Sequence, residues 1–464
     1  MVFSRLFFIY IFLPLCLSAY FIARGTNAKN NVLIFFSLVF YAWGEPVYIF
    51  LMLFSAAVNY FAGRLIGRFG DSGKSRLTAG LAIFTDLALL GVFKYSGFIM
   101  ENINSLFSAS LPVPDIRLPI GISFYTFQTI SYVVDCLWEN VSPQKSFRKF
   151  LLYISLFPQL VAGPIVRYST IEKEIDQRHS SIADISCGLN RMVLGLAKKV
   201  IIADQLSTVA DSLLGGIENA TAAAAWAGAA VYALQIYFDF SGYSDIAIGL
   251  GRVFGFHFDE NFRHPFMCKD ITEFWQRWHI SLGTFFRDYL LYVPIFGKRR
   301  KYGGLFLVWL CTGIWHGASW NFVIWGLYFG LFIFIETLTG KKRMKKIPLV
   351  IRHIYSKAVI IVGFGIFYFE DLGRLGTFFR KLFSTEKLIG LQDKILLMNN
   401  LYLLILAVIL SFPIISGIQK LSGRFCAVRT ASSLALPFVS AALLLLSSVM
   451  LVDQTSHPFL YFRF

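Results

Sequence analysis

His316 is the residue whose position in the sequence most clearly suggests chemistry. It lies between Trp315 and Gly317, inside an apolar run from about residue 303 to 337. An ionisable imidazole in a segment long enough to cross a membrane needs either burial in protein or contact with a polar cavity. Because histidine titrates near neutral pH, it can also take a proton from a hydroxyl group. We therefore predict that His316 is a catalytic residue.

Further polar residues are concentrated between 239 and 321, in sequence that is otherwise apolar or aromatic. Two carboxylates interrupt one apolar segment, and a stretch rich in tryptophan, arginine and histidine follows. That stretch has the composition of a membrane interface, where indole rings favour the headgroup level. The candidates for catalysis or binding in this region are Asp239, Asp245, Arg277, Trp278, His279, Arg287, Trp315 and Asn321.

The composition predicts the elements that must position these side chains. Of the 464 residues, 56% are hydrophobic and only 15% are charged, which lies far from the average of soluble proteins. Apolar stretches of helix-spanning length recur along the chain. We predict an all-α polytopic membrane protein with about ten to twelve membrane helices, further re-entrant or interfacial helices and no soluble domain. Residues 1–464 would then form one membrane domain.

Clustered basic residues contribute most to the formal net charge of +16. By the positive-inside rule the loops that carry them are cytoplasmic, which places the amino terminus outside. The basic runs 298–301 and 341–346 flank one apolar run, so that run must be a hairpin or must enter the membrane and return. The same charges could attract an anionic cytosolic substrate such as a coenzyme A phosphate, but topology alone already accounts for them.

Several kinds of site have no support in the sequence. The six cysteines show no C-x-x-C spacing and the seven histidines no H-x-x-x-H spacing, so we expect neither a disulfide framework nor a metal site. A Walker motif and G-x-G-x-x-G are absent, and residues 241–245 fail the G-x-S-x-G test of a nucleophile elbow. Membrane lipids are expected partners, and nucleic acid is not.

The tryptophan-rich motifs resemble those of the membrane-bound O-acyltransferases. Phe274-Trp275-Gln276-Arg277-Trp278-His279-Ile280-Ser281, followed by Trp315-His316-Gly317-Ala318, looks like the signature of that family. The likeness is greatest to the bacterial branch that acetylates alginate, peptidoglycan and cellulose. Residues 118–128, 157–165 and 239–249 extend the match over most of the chain, whereas the C-terminal part carries no matching motif.

This resemblance implies a helical fold around a central tunnel, with a cytosolic acyl donor and an acceptor hydroxyl that reaches the other face. His316 matches the family's essential histidine, and His279 matches its second polar position. We expect His316 to be the general base and His279 to orient the donor or stabilise the developing oxyanion. A covalent acyl-enzyme on Cys311 is an alternative, although packing is the simpler account of this residue.

The other candidates have structural alternatives. Arg277 and Arg287 could contact donor phosphates or anchor the chain at the interface. Asp239 and Asp245 could shape the tunnel, but pairing with a buried arginine such as Arg277 is slightly favoured, because intramembrane carboxylates usually find partners. A histidine in a membrane helix can also hydrogen-bond a neighbouring helix without any catalytic role.

Three functions remain open at this point. The leading one transfers acetyl groups from cytosolic acetyl-CoA to hydroxyls of an extracytoplasmic polysaccharide at the bacterial cytoplasmic membrane. Transfer would be direct or through a partner acetyltransferase of the SGNH (Ser-His-Asp) type, and no metal is implied. The second is D-alanyl transfer to teichoic acid from a carrier-protein thioester. The third is a transporter or channel in which His316 gates protons or solute, which the lack of an evident internal repeat weakens.

Overall fold

The chain is all α-helical in the computed structural model, which describes residues 1–291, 301–385, 388–414, 417 and 426–452. No strand occurs within these ranges, so the predicted all-α class is confirmed. The described residues divide into two compact units. The first comprises residues 1–192 and 246–259, and the second comprises 193–245 and the described part of 260–460. The assignment of 1–464 to one membrane domain stays a prediction.

The first unit is formed mainly by the helices of the N-terminal part of the chain. α6 is almost entirely enclosed, since 13 of its 16 residues are buried. Short π-helical turns at Phe8–Phe12 and Gly91–Tyr95 adjoin α1 and α4. The α-helices are α1 (Leu13–Ile22), α2 (Thr26–Gly44), α3 (Ile49–Phe69), α4 (Gly73–Leu90), α5 (Ser96–Phe107), α6 (Ile122–Leu137), α7 (Phe147–Ser155), α8 (Phe157–Leu160), α9 (Tyr168–Asp176) and α10 (Ile182–Ala197), whose last residues belong to the second unit.

Asp86, within α4, joins three helices of the first unit. Its carboxylate accepts hydrogen bonds from Ser55 Oγ and Asn59 Nδ2 on α3, both at 2.8 Å, and from Thr129 Oγ1 on α6 at 2.9 Å. All four side chains are buried. A carboxylate withdrawn from water needs such donors in place of its hydration shell. The cluster therefore fixes how α3, α4 and α6 pack.

The second unit contains all of the predicted site residues. π-helical turns lie at Lys198–Ala203 and Arg287–Leu291, and short 3₁₀ turns lie at Ile217–Asn219 and Pro265–Met267. Its α-helices are α11 (Asp204–Leu214), α12 (Ala222–Val253), which continues into the first unit, α13 (Ile271–Trp275), α14 (Ile280–Phe286), α15 (Lys301–His316), α16 (Trp320–Met344), α17 (Leu349–Tyr368), α18 (Leu372–Leu382), α19 (Leu391–Asn399), α20 (Leu401–Ser411) and α21 (Cys426–Val452).

The apolar run around His316 folds as a helical hairpin, which is one of the two alternatives that the sequence predicted. α15 and α16 are joined by residues 317–319 and pack closely along their length. The approach is tightest at Gly313 and Gly326, where a Cβ added to Gly326 would lie 2.9 Å from the Cα of Gly313. Small residues allow this proximity between membrane helices. Of the flanking basic run, residues 298–300 lie outside the described residues.

The described residues contain five helical segments that are long and apolar enough to cross a membrane. They are 49–69, 73–107, 320–344, 349–368 and 435–452, and α19 with α20, bent by 60°, would make a sixth. The protein is thus a multi-pass membrane protein, but this number is smaller than the ten to twelve predicted. Other apolar runs form shorter helices, such as α6 and α7, whose apolar residues are mostly buried inside the protein.

Gly313→Val should destabilise the hairpin, because a side chain at this position would overlap the carbonyl oxygen of Phe322 on α16. Forcing packed elements apart typically costs about 1–3 kcal/mol of unfolding free energy. We expect a lower melting temperature of the detergent-purified protein. Gly80→Val is the matched control, since a Cβ there meets nothing within 4 Å. Equal melting temperatures for the two variants would contradict the tight crossing.

Candidate active site

His279 lies on a segment that folds back between α12 and α15. Asp270 begins α13 as an N-cap and accepts a hydrogen bond from the Glu273 amide at 2.8 Å. His279 directly precedes α14 with a φ of +42°, a left-handed conformation that few non-glycine residues adopt. The amide of Ile280 donates to the carbonyl of Asn261 at 2.9 Å and holds this turn in place. Backbone strain of this kind clusters at functional sites.

His316 ends α15 and is almost completely enclosed by aromatic rings. Its Nδ1 lies 2.6 Å from the carbonyl oxygen of Thr312. A carbonyl can only accept a hydrogen bond, so Nδ1 carries the proton and Nε2 of the neutral ring carries a lone pair. The ring centroids of Trp325, Trp315 and Phe367 lie 4.6, 4.9 and 5.5 Å from that of His316. The residue therefore has the protonation pattern that a general base needs.

The structure brings His279 and His316 to the same tryptophan. Trp315 lies 5.9 Å from His279 and 4.9 Å from His316, measured between ring centroids. On its other side His279 packs edge to face against Phe240 of α12 at 4.6 Å. Both histidines are buried. Two imidazoles that are far apart in the sequence thus share one aromatic wall, as expected of groups that act on one substrate.

A cavity of about 320 Å³ opens beside His279. Half of its lining residues are apolar or aromatic and come from α13, α14, α15 and α16, and the polar ones are Thr272, Gln276, His279, Thr284, Arg287 and Thr312. Small-molecule sites combine polar groups with an apolar enclosure in this way. The carbonyl oxygen of Thr312 accepts the hydrogen bond from His316, which lies one helical turn further along α15. The cavity therefore reaches His279 directly and ends next to the segment that holds His316.

Comparison with known proteins identifies the family of this chain. The family model of the membrane-bound O-acyltransferases matches residues 119–369, which include both histidines and every residue that lines the cavity. A probable alginate O-acetylase of Pseudomonas syringae pv. tomato is 38% identical over 393 residues, covering 83% of this chain and 75% of that protein. The chain belongs to the membrane-bound O-acyltransferase family.

Two further relatives indicate where this O-acyltransferase lies within the family. A peptidoglycan O-acetyltransferase of Helicobacter pylori is 36% identical over 370 residues, which cover 71% of this chain and 69% of that protein. A teichoic acid D-alanyltransferase of Bacillus subtilis is 30% identical over 222 residues, which cover only 45% and 56%. The similarity to acetylating enzymes is thus both higher and more extensive, and the protein is a membrane O-acyltransferase.

The two predicted phosphate-binding arginines of the acyltransferase have different surroundings. Arg287 lines the cavity and forms an ion pair with the adjacent Asp288 at 2.7 Å. Arg277 does not line it and is paired with Glu273, four residues earlier, at 2.6 Å. Trp278 is buried and stacks on Phe274 at 5.4 Å. Only Arg287 of these candidates is therefore placed to contact a ligand in the cavity.

Asp239 and Asp245 form buried or half-buried ion pairs on α12. The Lys199 ammonium lies 2.6 Å from Asp239 and 2.8 Å from Asp204, and Lys198 lies 2.6 Å from Asp245. Both carboxylates are paired, as expected, but the suggested partner, an arginine such as Arg277, was wrong, and their predicted binding role stays a prediction. The lysine partners could not be read from the sequence, because both lysines belong to a π-helical turn that meets α12 only in the folded protein.

Trp315 and Asn321 flank the hairpin turn and have distinct contacts. Trp315 forms the wall between the histidines, as described above. Asn321 is fully buried, and its Nδ2 lies 3.3 and 3.4 Å from the carbonyl oxygens of Ile366 and Phe367 at the end of α17. Asn321 thus connects the start of α16 to α17 and does not line the cavity. Its predicted binding role stays a prediction.

Glu336 is a functional candidate that sequence reasoning missed. This buried residue of α16 accepts hydrogen bonds from the amides of Ile271 and Thr272 at 2.7 and 2.8 Å, and from Thr272 Oγ1 at 2.6 Å. Tyr355 Oη donates to the same carboxylate at 3.2 Å. The carboxylate therefore holds the start of α13, the helix that leads into His279. Its signal was a lone carboxylate in the apolar run before the basic residues 341–346.

Glu336→Ala should displace the segment that carries His279, because it leaves two buried amide donors without their acceptor. An unmade buried hydrogen bond costs about 1–3 kcal/mol per group. We expect a lower melting temperature and a loss of acyltransfer activity, while Glu336→Gln, which keeps one acceptor oxygen, should retain part of both. Thr337→Val is the control, since Thr337 Oγ1 binds Ile333 of its own helix. Full activity of Glu336→Ala would contradict this role.

Proposed function

We propose that the enzyme transfers acetyl groups from cytosolic acetyl-CoA to hydroxyl groups of an extracytoplasmic polysaccharide, at the bacterial cytoplasmic membrane. The observation that carries the proposal is the pair of buried histidines that contact the same tryptophan, one of which, His279, lines a cavity, in a chain that matches alginate and peptidoglycan acetylating proteins over most of its length. Transfer to the polymer is direct or passes through a partner acetyltransferase of the SGNH type outside the membrane.

His316 acts as the general base in this proposal. As the hydroxyl oxygen attacks the thioester carbonyl, its proton moves to Nε2 of His316, a C–O bond forms and the C–S bond breaks. The departing thiolate then takes the proton from the imidazolium. The hydrogen bond from Nδ1 to the Thr312 carbonyl orients the ring and stabilises its protonated form. The aromatic enclosure excludes water, which would otherwise hydrolyse the donor.

The hairpin gives this reaction a direction across the membrane. The start of α15 and the end of α16 lie at the same end of the hairpin, next to the basic residues 341–346, and the positive-inside rule makes that end cytoplasmic. The cavity lies between that end and His316. A donor thioester would therefore enter from the cytoplasm past Arg287, whose guanidinium suits phosphate, and the acceptor hydroxyl would reach His316 from the opposite face.

D-alanyl transfer to teichoic acid remains the second candidate. It uses the same acyl chemistry with a carrier-protein thioester as donor, and a teichoic acid D-alanyltransferase is among the relatives. The shorter coverage of that match favours the acetyl donor. The third hypothesis, a transporter or channel, is set aside because the chain is an acyltransferase.

His316→Ala protein in liposomes should consume acetyl-CoA at least about 100-fold more slowly than the wild type, because the variant lacks the base. Cys311→Ser is the matched test of a covalent acyl-enzyme, since Cys311 lies on the same helix and is half-buried. We expect this variant to keep its activity. Equal consumption of acetyl-CoA by the wild type and His316→Ala would show that His316 is not the general base. Inactivity of Cys311→Ser would support a covalent acyl-enzyme.

Mass analysis of esters on cell-surface polysaccharide distinguishes acetyl transfer from D-alanyl transfer. A deletion strain complemented with wild type should carry acetyl esters, and the same strain complemented with His316→Ala should lack them, although the variant is present in the membrane. Loss of D-alanyl esters instead would select the teichoic acid function. Unchanged esters of both kinds would refute the proposal that this site modifies the polymer.

A further inference from the structure

Asn261 is in direct polar contact with His279, and it is fully buried. Its Oδ1 lies 3.1 Å from His279 Nδ1 and accepts hydrogen bonds from the Ser281 amide at 3.2 Å and from Ser281 Oγ at 2.9 Å. Its Nδ2 donates to Ser244 Oγ on α12 at 3.1 Å. Both ends of this side chain are therefore engaged, and its orientation is defined by its neighbours.

The Ser281 amide decides which atom of Asn261 faces His279. A backbone N–H can only donate, so the side-chain atom opposite it is the oxygen and not the nitrogen. The same oxygen faces His279 Nδ1, which must then supply a proton for the contact to be favourable. The neutral imidazole is consequently the Nδ1–H tautomer, with its lone pair on Nε2.

This tautomer bears on how His279 acts. An oxyanion is stabilised by a hydrogen-bond donor, but Nε2 of the neutral ring is an acceptor. Moving the proton to Nε2 would set two lone pairs, those of Nδ1 and Asn261 Oδ1, against each other in a buried place, where unpaired polar groups are costly. Of the two roles considered for His279, the geometry thus favours orientation of the donor over stabilisation of the oxyanion.

We infer that Asn261 is a positioning residue that holds His279 as a hydrogen-bond acceptor, and that Nε2 of His279 binds an amide N–H on the arm of the acyl thioester. His279 lines the cavity in which that arm would lie. The inference rests on the proposed function, because it takes an acyl thioester with an amide-containing arm as the occupant. It assigns different roles to the two histidines, since His316 receives the proton of the hydroxyl group and His279 orients the acyl donor.

The protonation state of His279 should respond to a charge placed at residue 261. His316 is the titratable group that acts on it electrostatically. Phe240 and Phe262 pack on its ring. On α12, Asp239 is engaged by Lys199 and Asp245 by Lys198. Replacing the neutral amide of Asn261 with a carboxylate therefore introduces a new charge in direct contact with Nδ1.

Asn261→Asp distinguishes orientation of the donor from stabilisation of the oxyanion, because the two roles of His279 predict opposite effects on the enzyme at low pH. A carboxylate at this position favours the imidazolium, which keeps a proton on Nε2 up to a pH about 1–3 units higher. If Nε2 must accept, the KM for acetyl-CoA should rise at least about 10-fold on the acid side of the pH profile and recover as the pH is raised, with a smaller change in kcat. An acid-side increase in kcat instead would show that His279 acts as a donor to the oxyanion and would overturn the inference.

Two controls keep the test independent of folding and of the proposed function. Ser244→Ala removes the partner of Asn261 Nδ2 but leaves the Ser281 amide in place, so its pH profile should match that of the wild type. The ¹⁵N spectrum of histidine-labelled wild-type protein, with His279 assigned by a His279→Gln variant, should show an unprotonated Nε2, and a protonated one at neutral pH would refute the inference. Failure of the wild type to consume acetyl-CoA would refute the proposed function instead.

Discussion

Polar groups that are withdrawn from water must find their partners inside the protein, and this constraint shapes both units of the structure. In the first unit it gathers Ser55, Asn59 and Thr129 around Asp86. In the second it places Lys199 between Asp204 and Asp239. Each cluster joins helices that apolar contacts alone could pack in several ways, because lipid competes equally well for apolar side chains. The buried polar pairs therefore select one arrangement.

The same constraint builds the active site. Glu336 replaces water at the first amides of α13, so that a short helix can begin inside the protein and lead to His279. Close packing positions the second histidine, since Gly313 and Gly326 let α15 approach α16 and leave His316 among aromatic rings. Neither histidine is held by its own sequence neighbours alone. The site is a product of contacts between helices.

Hydrogen-bond acceptors also determine the chemistry available to each histidine. The Thr312 carbonyl and the Asn261 amide oxygen both face Nδ1, so both rings present Nε2 to their surroundings as a lone pair. An acyl transfer needs such a base for the attacking hydroxyl, and it needs water to be kept away from the thioester. The apolar cavity and the aromatic wall of Trp315 meet the second need. Protonation pattern and enclosure thus come from the same packing.

The sequence by itself determined the all-α membrane class and the family, and it singled out His316 and His279 as candidates, because composition, helix-length apolar runs and an ionisable group within them depend only on local order. It could not tell which apolar helices are buried inside the protein, as α6 is, and which face lipid. Nor could it give the lysine partners of Asp239 and Asp245, or the contacts of Glu336 and Asn261. Those pairings join residues from separate helices, and only the tertiary structure decides which distant side chains come within hydrogen-bond distance.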